Sequence, residues 1–150
     1  MQKISHETIA ALTAAGVPTG VLSAPMIPAL NDTEMEDILA QARAAGATSA
    51  GYTLLRLPLE LKSLFKEWLE EHFPGKAAHV LSLIAQTHGG RLYDSTWSKR
   101  MTGTGPYAEM LRLRFDRACR KLGFNQRTTK PLDTTRFQPP PQKGDQLALF

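Results

Sequence analysis

The stretch VPTGVLSAPMIPALND, residues 17–32, joins a strand-forming segment to a loop. Its first seven residues contain β-branched and apolar types that are common in strands, which predicts a strand over 17–23. Pro25 and Pro28 follow, and neither can remain in a sheet ladder or a helix interior, because proline has no backbone N–H to donate. The second half of the stretch is therefore predicted to be an irregular loop.

A helix and a second strand are predicted after this loop. Thr33 and Glu36 have the spacing of a capping box, which indicates a helix that ends at Gly46. The stretch ATSAGYTLLRLP, residues 47–58, then predicts the second strand. With a shorter helix over 6–15, the order is helix, strand, loop, helix, strand. This is the order of a βαβ unit, whose right-handed crossover places the two strands parallel.

Two parallel strands do not form a finished sheet by themselves. Parallel strands are normally covered on both faces, and a sheet of two with helices on one side exposes its other face and its edges. The first helix also has the position of a crossover from a preceding strand. Residues 1–57 are therefore expected to be the end of a larger α/β sheet or barrel whose earlier strands are missing from this chain.

Helices dominate residues 58–124. Three amphipathic helices are predicted, in LELKSLFKEWLEEHF (59–73), in KAAHVLSLIAQTHGG (76–90) and between Pro106 and Gly123. The residues predicted to face the core are Leu61, Leu64, Phe65, Trp68 and Leu69 in the first helix, Ala77, Val80, Leu81 and Ile84 in the second, and Tyr107, Met110, Leu111, Phe115, Ala118, Cys119 and Leu122 in the third. The polar loop before the third helix carries two aromatics of the type usually buried, Tyr93 and Trp97.

The composition limits the kind of protein. The chain has 150 residues, of which 42% are hydrophobic, and this suits one domain with a tail. A net charge of +4 is compatible with an anionic partner without requiring one. The single cysteine, Cys119, excludes an internal disulfide and a multi-cysteine metal site built from this chain alone. No signal peptide and no membrane-length apolar run is evident, so we expect a cytoplasmic protein without a membrane partner.

No catalytic or metal-binding motif stands out. The four histidines lack metal-ligand spacing, and neither paired carboxylates nor a Ser-His-Asp arrangement is evident. The sequence therefore predicts no catalytic residues and no metal ligands in this chain.

The tail, residues 125–150, has no periodicity and contains three consecutive prolines, which predict an extended segment. It ends in QLALF, residues 146–150. Two interpretations are open for such an end. It folds back over an edge of the domain, or it is a short linear motif that docks on another protein.

QLALF resembles the pentapeptide by which bacterial polymerases and repair proteins dock on the sliding clamp that encircles DNA. The resemblance implies that Gln146 makes the polar contact and that Leu147, Leu149 and Phe150 fill the pocket. A chance match at one fixed position has a probability of roughly one in ten thousand or less.

Four further stretches lie in order along the chain: AALTAAGVPTGVLSAPMIPALND, AGYTLLRLP, RLYDSTWSKRMTGTGPYAEML and FDRACRKLG. Together they resemble the C-terminal half of the bacterial radical S-adenosylmethionine (radical SAM) proteins related to spore photoproduct lyase, often called DNA repair photolyases. Members of that group also end with a clamp-type motif. The resemblance implies the α/β fold of a partial (β/α)₆ barrel followed by helices, with the two strands as its fifth and sixth.

The resemblance also implies cofactors. In the family, a cysteine-x-x-x-cysteine-x-x-cysteine loop holds a [4Fe-4S] cluster, which binds SAM and reduces it to a radical. That loop is absent here, so this chain alone is expected to bind no cluster and to lack radical activity. Ligands of such folds meet the C-terminal ends of the strands, which implies a cofactor-facing set of Pro25, Pro28, Asn31, Asp32 and Arg56. As alternatives, Asp32 caps the next helix and Arg56 pairs with a carboxylate.

Two basic regions are candidates for contact with a nucleic-acid backbone. Lys99 and Arg100 precede a glycine-rich turn that opens the third helix, where free N–H groups could hold a phosphate; a simple tight turn is the alternative. The third helix carries cations off its apolar face, and solvated helix surface is the alternative there. They are Arg112, Arg117, Arg120 and Lys121, with Arg114, Arg127 and Lys130 nearby.

The sequence thus predicts the C-terminal segment of a radical SAM protein that docks on the clamp, with catalysis in an absent front half. The alternative is a non-enzymatic adaptor that binds the clamp or DNA.

Overall fold

The computed structural model describes residues 2–97, 99–125, 134, 135, 137 and 140. Its elements, in chain order, are α1 (Gln2–Ala14), β1 (Gly20–Met26), a 3₁₀ turn (Asp32–Glu34), α2 (Met35–Ala44), β2 (Ser49–Leu54), α3 (Leu61–His72), α4 (Ala77–Thr87) and α5 (Gly105–Leu122). The types and order of the predicted elements are confirmed, and the described part of the chain is a mixed α/β structure.

The described sheet consists of β1 and β2, which pair in parallel as predicted. The predicted end of the first strand is wrong, because β1 continues past Ser23 to Met26 with Pro25 inside it. The register shifts between Ser23 and Met26, so Pro25 occupies an irregularity of the ladder. Such an irregularity is one of the positions at which a sheet tolerates proline.

One face of the sheet is covered by α2 and α5. Side chains alternate between the faces along a strand, and Val21 on β1 with Ala50 and Tyr52 on β2 contact the core on the helix side. The Tyr52 and Phe115 rings pack with their centroids 4.8 Å apart. The buried core on this face includes Met26, Met35, Leu39, Leu54, Leu111 and Phe115. The apolar stripe predicted for α5 is therefore confirmed in its central part, whereas Met110 is exposed.

The opposite face of the sheet is open to solvent. Leu22 is 65% exposed, and Gly20, Ala24 and Ser49 are exposed as well. The Leu22 side chain reaches towards β2, where it lies 3.2 Å from the position that a Cβ would take on Gly51. Parallel sheets normally have both faces covered, so this face lacks a layer within the described residues.

The two edges of the sheet differ. On the outer edge of β2, the Leu54 N–H donates to the Met101 carbonyl at 2.9 Å. Further along, the Asn125 side-chain amide exchanges hydrogen bonds of 3.0 and 3.1 Å with the backbone of Ala50. The outer edge of β1 carries no strand in the described part of the chain, and β1 borders an open groove of about 330 Å³. The sheet is closed at β2 and open at β1.

A second, smaller core lies between α3 and α4 and includes Leu69 and Ile84. The stripe predicted for α4 is buried except for Leu81, which is partly buried, and the one predicted for α3 is partly wrong. Leu61, Leu64 and Trp68 are 43%, 54% and 38% exposed, whereas Leu69 is fully buried. The physical reason is that α4 is the main described neighbour of α3, and a single neighbouring helix covers only one side of it.

The helix ends were predicted with mixed success. Pro106 lies in the first turn of α5, and Gly123 ends that helix in the left-handed conformation, with φ of 72°, as expected. The predicted capping box of Thr33 and Glu36 is wrong, because α2 has no side-chain capping hydrogen bond. Glu36 binds Arg114 instead.

Candidate functional site

The candidate site lies where the two parallel strands end. β1 leads into a loop at 27–34 and β2 leads into a loop at 55–60. Ligands of open α/β folds bind at this end of the sheet. The structure brings to this edge all five residues that the resemblance assigns to a cofactor, namely Pro25, Pro28, Asn31, Asp32 and Arg56.

Asn31 and the two prolines shape the first loop. The Asn31 side-chain oxygen accepts a hydrogen bond from the Ile27 N–H at 2.7 Å, and its amide donates to the Pro25 carbonyl at 3.0 Å. Pro28 is fully buried. The Asn31 side chain is thus engaged within the loop and holds its backbone in place.

Asp32 is buried and joins the first loop to α5. Its Oδ2 accepts a hydrogen bond from the Tyr107 hydroxyl at 2.6 Å, and the same hydroxyl accepts one from the Ala29 N–H at 3.2 Å. Arg114 lies 3.7 Å from the Asp32 carboxylate and donates to the Asp32 carbonyl at 2.9 Å. Asp32 Oδ1 has no partner among the described residues. The alternative that Asp32 caps α2 is wrong.

Arg114 extends this network onto α2. Its Nε and Nη2 donate to the two carboxylate oxygens of Glu36 at 2.8 and 2.6 Å. This hydrogen bonding lowers the pKa of Glu36 below its ordinary value of 4.5. Burial, and next the hydrogen bond to Asp32, raise the pKa of Tyr107 to about 12. The network therefore keeps the Tyr107 proton in place and anchors the first loop to α5.

Arg56, just after β2, has no carboxylate partner among the described residues. The ion-pair alternative for Arg56 is therefore wrong within that part of the chain. Its Nη2 donates to the Tyr93 hydroxyl at 3.3 Å, and its Nη1 contacts the Met101 sulfur at 3.5 Å. The buried Nε of Arg56 has no described acceptor. Arg56 thus keeps a positive charge that no carboxylate of the described residues neutralises.

The loop between α4 and α5 brings Tyr93 beside Arg56 but leaves Trp97 in solvent. Trp97 is 79% exposed, so the prediction that it is buried is wrong. The Arg100 guanidinium lies 3.9 Å from the centroid of the indole ring. The Trp97 ring is therefore stabilised by cation–π contact with Arg100 rather than by packing in the core.

The turn that opens α5 is satisfied internally. The Gly103 N–H donates to the Lys99 carbonyl and the Thr104 N–H to the Thr87 carbonyl, each at 2.8 Å. Gly103 has φ of 70° and packs closely, because a Cβ there would lie 2.7 Å from Leu54 Cδ1. These contacts favour the tight-turn interpretation of the glycine-rich segment.

The predicted basic surface of α5 is partly neutralised. Arg112 hydrogen-bonds Glu109 through its Nε and Nη2 and Asp116 through its Nη1. The remaining predicted cations of this helix are exposed and have no carboxylate partner among the described residues; they are Arg117, Arg120 and Lys121.

The residues present do not fit an iron–sulfur cluster. The chain has one cysteine, whereas the family loop supplies three thiolates. Cys119 is buried on α5, and burial raises the pKa of its thiol. In the described ranges, no group of three or more His, Cys, Asp or Glu side chains could hold a metal ion. No chemical step of this chain is therefore derived through a cluster.

The predicted clamp-binding residues Gln146, Leu147, Leu149 and Phe150 lie outside the described residues, as do Arg127 and Lys130.

The chain matches no protein-family model, no curated protein and no solved structure. Across the described segments, no helix combines the length and apolar character needed to cross a bilayer.

Three contacts were missed by sequence reasoning. They are the Tyr107–Asp32 hydrogen bond, the Arg100–Trp97 stack and the pairing of Asn125 with β2. A signal for the first was present, because a tyrosine on an apolar stripe buries a hydroxyl that needs a partner. The other two carry no comparable local pattern.

Proposed function

We propose that this chain is the C-terminal segment of a radical SAM protein of the DNA repair photolyase type. It supplies the last two strands and the following helices to a partial (β/α)₆ barrel, and catalysis belongs to the rest of that protein. The observation that carries the proposal is the asymmetric sheet. Within the described residues, β2 has a covered edge, whereas β1 has an open edge and the sheet has an open face.

This asymmetry is what a terminal piece of a barrel requires. A preceding strand would pair with β1, and the rest of the barrel would enclose the face that carries Leu22. The covered edge of β2 suits the last strand of an incomplete barrel. In that assembly the loop at 27–34, held by Asp32 and Tyr107, would shape one side of the SAM pocket, and Arg56 would make a polar contact with SAM or substrate.

The test uses the native protein, captured anaerobically from its source cell with an antibody raised against this chain. We expect an intact mass well above 16.5 kDa, bound iron and sulfide, and 5′-deoxyadenosine after addition of SAM and dithionite. A colourless protein of 16.5 kDa would exclude the enzyme and favour the non-enzymatic adaptor.

We also propose that the terminal QLALF docks this protein on the DNA sliding clamp in the cytoplasm. Leu147, Leu149 and Phe150 provide three apolar anchors after an extended segment, and Gln146 provides one amide.

A labelled peptide of residues 144–150 is expected to bind purified clamp at concentrations up to about 100 μM. The matched control peptide carries Leu147→Ala and Phe150→Ala and should not bind. The whole chain is then compared with one that ends at residue 143. Equal binding of both peptides, or of neither, contradicts clamp docking and leaves the fold-back interpretation of the tail.

A further inference from the structure

Part of the positive charge that the sequence placed on α5 is neutralised in the structure, whereas two unpaired arginines lie elsewhere. On α5, Arg112 and Arg114 are neutralised by carboxylates. By contrast, Arg56 and Arg100 have no carboxylate within ion-pair distance in the described part of the chain. Both belong to the end of the sheet, because Arg56 contacts Met101, the residue that follows Arg100.

The loop around these arginines has a clear surplus of cations. Residues 91–104 contain Arg91, Lys99 and Arg100 against one acid, Asp94. Asp94 is already engaged, since its Oδ1 accepts hydrogen bonds from the N–H and the hydroxyl of Thr96 at 2.9 and 2.6 Å. Residues 91–104 and Arg56 together therefore hold four cations and one carboxylate.

Both arginines also have donors without acceptors. The Nε atoms of Arg56 and Arg100 are buried and lack a hydrogen-bond partner among the described residues. The contact of Arg56 with the Met101 sulfur does little to satisfy the hydrogen-bonding capacity of the guanidinium, because a thioether is a weak acceptor. Guanidinium groups without a carboxylate partner bind phosphate well, since their fork of N–H donors matches its oxygens.

Trp97 adds an aromatic surface to this positive region. Its side chain is 79% exposed although tryptophan is usually well buried, and the Arg100 guanidinium stacks on one side of the ring. The ring is held by this contact while most of its area stays in solvent. An exposed aromatic beside unpaired arginines is the combination on which bases stack and phosphates bind.

We propose that Trp97, Arg100 and Arg56 form a binding site for single-stranded nucleic acid, with a base stacked on Trp97 and the phosphates bound by the two arginines. A single strand fits better than a duplex, because duplex bases have their faces covered by their neighbours. A strand also fits better than a free nucleotide, because the cations extend over residues 91–100 and Arg56. The contacts lie within this chain, so the site can be tested without the barrel or the clamp; in the barrel proposed above, Arg56 would contact the substrate rather than SAM.

The first measurement is fluorescence polarisation of a labelled oligothymidylate of about twelve nucleotides, a length within the site sizes of single-strand binders. The full chain is expected to bind it, and the logarithm of the binding constant should fall with the logarithm of the salt concentration, with a slope of about −0.7 per phosphate contact. In parallel, Trp68→Phe leaves Trp97 as the only tryptophan. Its fluorescence should be quenched as the strand binds.

The variants test the named residues. Trp97→Ala should weaken binding by about fivefold to a hundredfold, the usual effect of losing one base–aromatic stack. Arg56→Gln and Arg100→Gln should each weaken binding and flatten the salt slope. Lys62→Gln, an exposed cation on α3, is the control for loss of one charge and should bind as the parent does.

Three outcomes would overturn the site. One is parental binding by Trp97→Ala, whose exposed position makes misfolding a poor explanation once circular dichroism is unchanged. Another is loss of binding only in Arg117→Gln with Arg120→Gln, which would return the interface to α5. The third is equal quenching of Trp97 by adenosine monophosphate and by the oligonucleotide, which would show that the polymer is not required.

Discussion

Tyr107 links two distant parts of the chain through one hydroxyl. It donates to Asp32 and accepts from the Ala29 N–H, and it thereby fixes the loop at 27–34 to α5. Tyr52 offers a natural comparison, because its hydroxyl is buried on the same side of the sheet but has no described partner. The two tyrosines therefore differ in whether the hydroxyl is hydrogen-bonded to a described residue.

Tyr107→Phe is expected to lower the free energy of unfolding by about 1–3 kcal/mol, because it leaves a buried carboxylate oxygen without its donor. Tyr52→Phe is the matched control and should change stability by less than about 0.5 kcal/mol. Urea unfolding followed by circular dichroism measures both. Equal effects of the two substitutions would contradict the role given to the Tyr107 hydroxyl.

Glu36 gives the protein a defined response to acid. Its pKa is lower in the folded chain than the ordinary 4.5, because Arg114 donates two hydrogen bonds to its ionised form. The pair therefore contributes stability above pH 4.5, and this contribution is lost as the pH falls through the lower folded value.

Glu36→Gln should consequently reduce the loss of stability between about pH 6 and about pH 3, measured as urea midpoints at a series of pH values. Glu67→Gln, at an exposed position of α3 without an ion pair among the described residues, controls for removal of one carboxyl group. An unchanged acid response in Glu36→Gln would mean that the pair with Arg114 adds nothing to stability.

The helix α3 is amphipathic, and its apolar face is incompletely covered. Phe65 and Leu69 pack against the second core, but Leu61, Leu64 and Trp68 extend into solvent. Apolar side chains at i, i+3 and i+7 predict a buried stripe only if a neighbour lies along it. Within the described residues, α4 is the main neighbour of α3 and leaves this row incompletely covered.

Two leucine substitutions on α3 test this. Leu69→Ala should cost about 2–5 kcal/mol of unfolding free energy in this chain, whereas Leu64→Ala should cost less than about 1 kcal/mol. Thermal and urea unfolding of the two variants provide the comparison, with identical chemistry on the same helix. A large loss in Leu64→Ala would show that Leu64 is covered by part of the chain outside the described residues.

In the described part of the molecule, the sheet is covered at one edge and on one face only. The edge of β2 is covered by Met101 and Asn125, while in the described part of the chain β1 has a free edge and Leu22 lies on an open face. Open edges and exposed apolar faces of sheets favour association with other chains. The isolated chain should therefore self-associate.

Leu22→Lys should reduce this association without lowering the free energy of unfolding of the isolated chain, because position 22 is exposed and a lysine there is repelled by its copy. Light scattering and sedimentation measure the association. In the longer barrel protein proposed above, the same substitution would bury a charge in the barrel and should prevent folding. A monomeric parent chain, or tolerance of Leu22→Lys in that longer protein, would argue against an unfinished barrel.

The sequence by itself determined the order of the elements, the parallel pairing, the central stripe of α5 and its end at Gly123. These features depend on periodicity, glycine and proline, whose effects extend over only a few residues. The tertiary structure decided which polar and aromatic groups meet. Asp32 and Tyr107 are 75 positions apart and Glu36 and Arg114 are 78 apart, and no local pattern pairs them. The exposure of Trp97 and Leu64 also depends on the tertiary structure, because a side chain is buried only where another element lies over it. An amphipathic pattern shows only that a side chain is suited to burial.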